Sequence, residues 1–208
     1  MRLYLFFASL VRTLVIGGLA QVLLSCKNEK LDLVPSSKKP WKTIPNVAVQ
    51  TLSGDTIHLS ALCKLQPVLL SVYLGTGCPM CVVSMKQLSQ HAYRYRSYGW
   101  RVLGLSNDSP ESNRRALAEP RLDSSFIQPG GEFEVELLSD FDHNAMEALG
   151  CYRRHLDTER HGLFLIDTAG YIRFEYIDKR PFQNWSALTD TMKAIFFKLH
   201  SPHPRTPS

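Results

Sequence analysis

The sequence feature that most constrains the fold is the segment Val68–Leu88, VLLSVYLGTGCPMCVVSMKQL. Its first seven residues form a short apolar run before a glycine-rich turn, which is typical of a buried strand. The residues after Cys78 follow an amphipathic pattern that predicts a helix over 79–98, with Pro79 first and Gly99 ending it. The segment therefore sets two cysteines at the junction between a buried strand and a helix.

Short apolar runs alternate with helical patterns along the rest of the chain, which favours an α/β fold with a central mixed β-sheet flanked by helices and an N-terminal β-hairpin. The predicted hairpin pairs 47–49 with 56–59 around the turn at Ser53-Gly54-Asp55. Ser109 is predicted to cap the helix that Pro110 begins. The remaining predictions are strands at 102–106 and 135–138, a loop at 119–134, a helix at 142–149, a hairpin of 163–167 with 171–176, and a last helix at 183–199.

The N-terminus has the composition of a secretion signal. Residues 1–25 contain two arginines, no acidic residue and an apolar run that ends just before Cys26. The residues Leu23-Leu24-Ser25-Cys26 resemble a bacterial lipobox, which implies that Cys26 carries lipid and that the protein is exported and anchored to a membrane, facing the periplasm or cell surface. Two alternatives compete with this interpretation: cleavage that leaves Cys26 as a free thiol, and an uncleaved membrane anchor over 3–25.

Composition divides the rest of the chain into a linker at 26–42, one globular domain at 43–200 and a proline-rich tail at 201–208 that is expected to be disordered. The formal net charge is +5, and removing Arg2 and Arg12 with the signal leaves 22 basic against 19 acidic residues, or +3. So small a surplus, spread along the chain, does not indicate nucleic-acid binding.

The dithiol Cys78-Pro79-Met80-Cys81 predicts thiol redox chemistry. A cysteine at a helix start lies beside unpaired backbone N–H groups that stabilise an anion, so its pKa falls from near 8.5 to about 3.5–7.5. Cys78 is therefore the expected nucleophile. Cys81 lies one turn deeper on the same helix face and is the expected resolving thiol.

Three other interpretations of the dithiol remain open. A structural zinc site would require a second pair of ligands, and the remaining histidines have no such spacing. A purely structural disulfide would close a loop too short to add much stability. A Cu(I) site formed by Cys78, Cys81 and His161 would suit the softness of that ion.

Three downstream segments resemble the thioredoxin-fold peroxiredoxins, closest to the bacterioferritin-comigratory type within the alkyl hydroperoxide reductase and thiol-specific antioxidant family. The segments are VLGLSNDSPESNRRALAE at 102–119, ELLSDFDHNAMEALG at 136–150 and HGLFLIDTAGYIRF at 161–174, and the resemblance covers roughly 40–199.

The resemblance implies a peroxidatic Cys78 followed by Pro79. The family's peroxide-binding threonine stands three residues before its cysteine, whereas Thr76 stands two before Cys78; Thr76 is either a peroxide contact or a helix cap. His161 takes the position of the family's activating arginine. It either faces Cys78, where it could stabilise the thiolate or accept its proton, or is a surface or core histidine at a strand start.

The resemblance implies an antioxidant thiol peroxidase in which Cys78 reduces a hydroperoxide, Cys81 forms the disulfide, and a thioredoxin-like reductant reopens it. No metal, flavin or nicotinamide cofactor is required by that cycle. An alternative is a thiol–disulfide oxidoreductase that acts on disulfides of exported proteins. A second alternative is a Cu(I) chaperone resembling membrane-anchored cytochrome oxidase assembly factors, although those proteins place three residues between their cysteines and this chain has two.

Cys63 and Cys151 remain after the dithiol and Cys26 are assigned. The preferred expectation is that both are separately buried thiols, which behave as small apolar side chains. A bridge between them is the alternative that export would favour. Cys151 as an alternative resolving thiol is the third.

Overall fold

The computed structural model describes residues 41–118, residue 126 and residues 132–200, with side chains up to residue 195. The predicted signal, the lipidation site Cys26, nearly all of the linker and the tail at 201–208 lie outside these residues. Within the described ranges, no helix is both long and apolar enough to cross a membrane.

A seven-stranded mixed sheet forms the centre of the domain, as the sequence predicts. Its strands are β1 (Ala48–Gln50), β2 (Thr56–His58), β3 (Val68–Val72), β4 (Arg101–Ser106), β5 (Glu136–Ser139), β8 (His161–Ile166) and β9 (Ile172–Asp178). Their order across the sheet is β2-β1-β5-β4-β3-β8-β9. The three central strands, β5, β4 and β3, run parallel, and all other neighbours are antiparallel. The predicted N-terminal hairpin is the β1–β2 pair.

Helices cover both faces of this sheet. They are α1 (Leu59–Leu62), α2 (Pro79–Ser97), α3 (Pro110–Ala118), α4 (Asn144–Ala148) and α5 (Trp185–His200). On one face Leu70 of β3 belongs to the same apolar cluster as Leu62 of α1 and Met146 of α4. On the other face α2 comes so close to β4 that a Cβ at Gly104 would lie 2.6 Å from Met85 Cε. Burial from both sides explains why β3 is a continuous apolar run rather than an alternating one.

The predicted helix start at Ser109 is confirmed in atomic detail. The Ser109 hydroxyl oxygen accepts a hydrogen bond from the backbone N–H of Ser112 at 3.2 Å, and Pro110 is the first residue of α3. The cap satisfies one of the backbone donors that a helix start leaves without an intrahelical partner.

A small hairpin between α4 and β8 is absent from the predicted elements. It consists of β6 (Tyr152–Arg153), a 3₁₀ turn (Arg154–Leu156) and β7 (Thr158–Glu159). Its strands are two residues long and rich in charge, so they carry no period-2 apolar pattern. Side-chain contacts hold it instead: the Tyr152 hydroxyl donates to Asp157 Oδ1 at 2.8 Å, and the Tyr152 ring stacks on His143.

Candidate active site

Cys78 is the N-cap residue of α2. Its backbone is extended, Pro79 follows as the first helical residue, and its Sγ accepts a hydrogen bond from the N–H of Cys81 at 3.2 Å. The residue is partly exposed. A sulfur held against the N-terminus of a 19-residue helix lies where the helix dipole and an N–H donor both stabilise a thiolate.

Cys81 is bonded to Cys78 in a disulfide that lies within a single helical turn. The two Cα atoms are 5.2 Å apart, and α2 stays continuous from Pro79 onwards with the bond formed. Cys81 is fully buried, in contrast to its partner. The pair therefore consists of one partly exposed cysteine and one that is buried.

The pairing of β3 with β8 brings His161 to the dithiol. Val72, at the end of β3, pairs with Gly162 of β8, so the strand that leads into the cysteine loop runs beside the start of β8. His161 precedes Gly162, and its Nε2 lies 3.2 Å from Cys81 Sγ. The sequence offers an imidazole facing Cys78; in the structure the ring contacts Cys81, and the Cys78 sulfur also lies within 4.8 Å of a ring nitrogen.

The hydrogen bonds of His161 define which ring nitrogen carries its proton. Nδ1 lies 3.1 Å from the backbone carbonyl oxygen of Lys179, and a carbonyl can only accept, so Nδ1 bears the hydrogen. The ring is 3% exposed, and this burial lowers its pKa, more than the carbonyls of Lys179 and Asp178 and the carboxylates of Asp178 and Glu159 raise it. The imidazole is therefore neutral at pH 7, with the Nε2 lone pair directed at Cys81.

Thr76 is bound to Asp108. The Thr76 backbone N–H donates to Asp108 Oδ2 at 2.7 Å, and its hydroxyl lies 3.4 Å from Asp108 Oδ1. The alternative that Thr76 caps α2 is wrong, because Cys78 occupies the N-cap position. A peroxide contact by Thr76 stays a prediction.

Asp108 and Asn107 are site residues that the sequence-based reasoning missed. A Cβ added to Gly75, whose φ is +91°, would lie 3.0 Å from Asn107 Oδ1 and from Asp108 Oδ1, so the loop before Cys78 packs directly on these side chains. Both residues follow β4, which runs parallel to β3. The rule that neighbouring parallel strands end at the same sheet edge could have identified them.

Cys63 and Cys151 are free thiols, and both are buried. The preferred expectation of two separate apolar thiols is therefore confirmed, and the bridge between them is absent. Burial raises the pKa of the Cys151 thiol to about 12 and also raises that of Cys63. Neither is ionised to any useful extent at neutral pH.

The donor set of the Cu(I) alternative is brought together by the fold. The sulfurs of Cys78 and Cys81 and a ring nitrogen of His161 lie within 4.8 Å of one another. The two sulfurs are bonded to each other in the disulfide, so they have the thiolate character that a soft ion requires only after reduction.

A cleft of about 250 Å³ lies over the first turns of α2. Met80 and Val83 project into it from the first turns of α2 and are 57% and 56% exposed. Its remaining lining residues are Pro79, Ser84, Gln87, Pro181 and Gln183.

Two curated relatives are similar in sequence to part of this chain. The chain is 29% identical over 102 residues to probable peroxiredoxin prdx-3 of Caenorhabditis elegans and to peroxiredoxin-2 of Cricetulus griseus. Those matches span 49% of this chain and 43% and 50% of the two relatives, so the chain spans about half the length of the curated relatives it matches.

Two solved structures share the fold at low sequence identity. The mitochondrial 2-Cys peroxiredoxin of Plasmodium falciparum superposes with a TM-score of 0.66 at 19% identity, covering 81% of this chain and all of that one. The reduced 2-Cys peroxiredoxin of Plasmodium vivax gives 0.64 at 16%, covering 76% and 96%. The thioredoxin-like α/β fold predicted from the sequence is thereby confirmed.

A family model identifies the chain independently of these structures. The model of the AhpC/TSA family matches residues 40–175, which include the hairpin, the dithiol and His161. This range is more than half of the 208 residues. The chain therefore belongs to the AhpC/TSA family.

Proposed function

We propose that this protein is a thiol-dependent peroxidase of the peroxiredoxin type, in which Cys78 reduces hydroperoxides and Cys81 resolves the product. The observation that carries the proposal is the position of Cys78: its sulfur accepts an N–H bond at the start of α2 and is bonded to Cys81, and the residue is partly exposed. Membership of the AhpC/TSA family supports peroxide as the oxidant.

The first step is the attack of the Cys78 thiolate on the terminal oxygen of a hydroperoxide. A new S–O bond forms, the O–O bond breaks, and the alkoxide or hydroxide that leaves takes a proton from solvent. Cys78 becomes a sulfenic acid, and the hydroperoxide becomes an alcohol or water. The N-terminus of α2 favours the thiolate that this step consumes.

The second step is condensation of the sulfenic acid with Cys81. The Cys81 sulfur displaces hydroxide from Cys78, which leaves as water with the thiol proton of Cys81, and the disulfide forms. Both residues already lie in one helical turn, so the step requires no unwinding of α2. One thiol of a thioredoxin-like dithiol then attacks the Cys78 sulfur and releases Cys81 as a thiol. The second thiol of the reductant displaces Cys78 from the resulting mixed disulfide, which returns the protein to its reduced state.

The AhpC/TSA match favours this function over disulfide exchange on exported proteins and over copper delivery. All three activities would use Cys78, so they are distinguished by the reagent that reacts fastest. Peroxide, a protein disulfide and Cu(I) can each be offered to the reduced protein under the same conditions.

The test is stopped-flow mixing of reduced protein with hydrogen peroxide and with an alkyl hydroperoxide, in the presence of a metal chelator. We expect Cys78 to be oxidised orders of magnitude faster than free cysteine, and Cys78→Ser to remove the reaction. A rate equal to that of free cysteine would contradict the peroxidase. Rapid capture of protein partners as mixed disulfides by Cys81→Ser, without a fast peroxide reaction, would support the exchange alternative instead.

We further propose that the protein is exported and anchored by lipid on Cys26. The support is the signal-like composition of residues 1–25 and the lipobox-like LLSC sequence. Expression of the full chain with an alkyne-tagged fatty acid should label the wild type and leave Cys26→Ser unlabelled. Equal labelling of the two would contradict the assignment, and Cys63→Ser serves as the matched control.

A further inference from the structure

The imidazole of His161 faces a sulfur that has no proton to give. Nδ1 donates its hydrogen to the Lys179 carbonyl, so Nε2 presents a lone pair to Cys81 Sγ at 3.2 Å. A disulfide sulfur carries no hydrogen. Only the reduced form of Cys81, with its S–H, completes this contact as a hydrogen bond. The contact therefore distinguishes the two redox states of the dithiol.

The two cysteines differ in the help that they need to ionise. Cys78 has an N–H donor and the helix N-terminus. Cys81 is fully buried one turn further on. Cys151 shows the effect of such burial without an adjoining imidazole, since its pKa is raised to about 12. Burial therefore disfavours the thiolate of a reduced Cys81 that has no polar partner.

We propose that His161 is the general base of Cys81: its Nε2 takes the Cys81 thiol proton as that sulfur attacks the sulfenic acid of Cys78. The inference rests on the proposed function for the identity of the electrophile. It assigns to His161 a role in the resolving step, distinct from activation of Cys78.

The step balances in atoms and charge. The Cys81 S–H bond breaks and an N–H bond forms at Nε2, giving an imidazolium. The sulfur forms the S–S bond as the S–O bond of the Cys78 sulfenic acid breaks. The hydroxide that leaves takes the proton from Nε2, so water departs and the imidazole is neutral again. The Lys179 carbonyl holds the Nδ1 hydrogen throughout and stabilises the transient cation.

The groups around the ring suit a base that is neutral at rest and cationic in passing. Cys78 and Cys81 of α2 lie within 4.8 Å of it, and the carboxylates of Asp178, at the end of β9, and Glu159, on β7, act on it electrostatically. Both carboxylates favour the imidazolium, and burial opposes it more strongly. Because the pKa of His161 is lowered on balance, the neutral imidazole that acts as the base stays available at pH values somewhat below the ordinary histidine pKa of about 6.5.

The test separates the two steps in the full chain and compares His161→Gln with wild type, with a chelator present throughout. Sulfenic acid formation is followed by stopped flow, and disulfide formation is followed by rapid quench and mass spectrometry. We expect the resolving step of His161→Gln to slow about 100-fold at pH 7. Its rate should then rise about tenfold per pH unit as Cys81 ionises alone, whereas the wild-type rate changes little from pH 7 to 8.

The matched control is His58→Gln, because His58 is exposed on β2 at the opposite edge of the sheet. It should resolve at the wild-type rate. Equal resolving rates and equal pH profiles for His161→Gln and wild type would overturn the proposal. Should the variant fail to fold, the pH profile of the wild-type resolving step decides. Its rate must stay level above pH 6.5 and fall only as pH drops through an ionisation below 6.5. A rate that increases tenfold per pH unit all the way from pH 5 to 8 would overturn the proposal.

A peroxide-free measurement distinguishes failure of this inference from failure of the proposed function. A dipyridyl disulfide converts reduced Cys78 to a mixed disulfide, releasing one thiopyridone, and attack by Cys81 releases the second. We expect the second release to slow in His161→Gln as the condensation does. Loss of the effect here would contradict the base assignment. A clear effect here with no fast peroxide reaction would sustain the base assignment and refute the peroxidase.

Discussion

The molecule contains two contrasting pairs of cysteines: the dithiol Cys78–Cys81, which is placed to react, and the free thiols Cys63 and Cys151, which are kept protonated in the core. Cys151 and Cys63 are enclosed by apolar side chains, and burial raises the pKa of each. Cys81 is as buried as Cys151, yet it has an imidazole nitrogen at 3.2 Å, and Cys78 has a helix N-terminus. Burial alone therefore does not separate reactive from inert cysteines in this fold; the polar group that meets each sulfur does.

The largest effect should come from removing the sulfur at the helix start. Cys78→Ser should reduce the rate of peroxide consumption by a factor on the order of 10³ or more, because the buried thiols of Cys63 and Cys151, whose pKa values are raised, cannot replace the Cys78 thiolate. Cys151→Ser should leave that rate within about twofold of wild type. Both are measured as hydrogen peroxide loss with excess reductant. Comparable losses of activity in the two variants would break the distinction between the pairs.

Removing Cys81 should preserve the first oxidation and stop the cycle. Cys81→Ser should form the sulfenic acid, and a second peroxide should then convert Cys78 to the sulfinic acid that wild type avoids through its disulfide. Intact-mass spectrometry after stepwise peroxide addition measures this. Cys63→Ser is the matched control and should form the Cys78–Cys81 disulfide as wild type does. A disulfide from Cys78 to Cys151 in Cys81→Ser would show that Cys151 can resolve.

Alkylation should separate the pairs by about 10³-fold or more in rate. In the reduced native protein at pH 7, iodoacetamide should modify Cys78, whereas Cys151 should remain unmodified because its pKa of about 12 keeps it protonated and burial blocks access. Peptide mapping against time gives the rates. Modification of Cys151 at a rate near that of Cys78 would show that the core around it opens readily.

Stability in alkali should depend on Cys151. Its thiol is protonated in the folded protein up to about pH 12, whereas in the unfolded chain it ionises near 8.5. The stabilisation that the buried Cys151 thiol gives the folded protein is therefore complete below pH 8.5 and is lost as pH rises towards 12. Cys151→Ala should lower the free energy of unfolding by about 1–3 kcal/mol at pH 7, as measured by urea unfolding. Above pH 9 this difference in unfolding free energy between wild type and variant should narrow, because only the wild type carries the thiol. A gap independent of pH would contradict the raised pKa.

The smallest effect should come from the loop that presents Cys78. Asp108→Asn weakens a charge-assisted hydrogen bond to the Thr76 backbone N–H, so it should lower the free energy of unfolding by about 1 kcal/mol and change the peroxide rate by only a few-fold. Glu111→Gln, at an exposed site on the following helix, is the control. A hundredfold loss of the peroxide rate would place Asp108 in the chemistry itself.

The sequence was sufficient for the parts of the fold that rest on local patterns. The buried strand, the helix start at Pro79 and the cap at Ser109 follow from residue type and spacing, and all three are present. The hairpin at 152–159 was missed because its order comes from contacts such as Tyr152 with Asp157, which leave no periodic signal.

The candidate site divides in the same way. The adjacency of Cys78 and Cys81 could be predicted because one helical turn fixes it. Two other contacts join segments that are distant in sequence: His161 with Cys81, and the hydrogen bonds between Thr76 and Asp108. Their geometry depends on the β3–β8 and β3–β4 pairings and on how deep each side chain reaches.

The placement of both sulfurs in one unbroken helical turn has a practical consequence for experiment. Because α2 is continuous with the disulfide closed, the reduced and oxidised proteins should pack in the same lattice. Crystals of the oxidised form should then survive soaking in reductant and afterwards in peroxide. The whole thiol cycle becomes open to observation by diffraction as a series of snapshots from one crystal form.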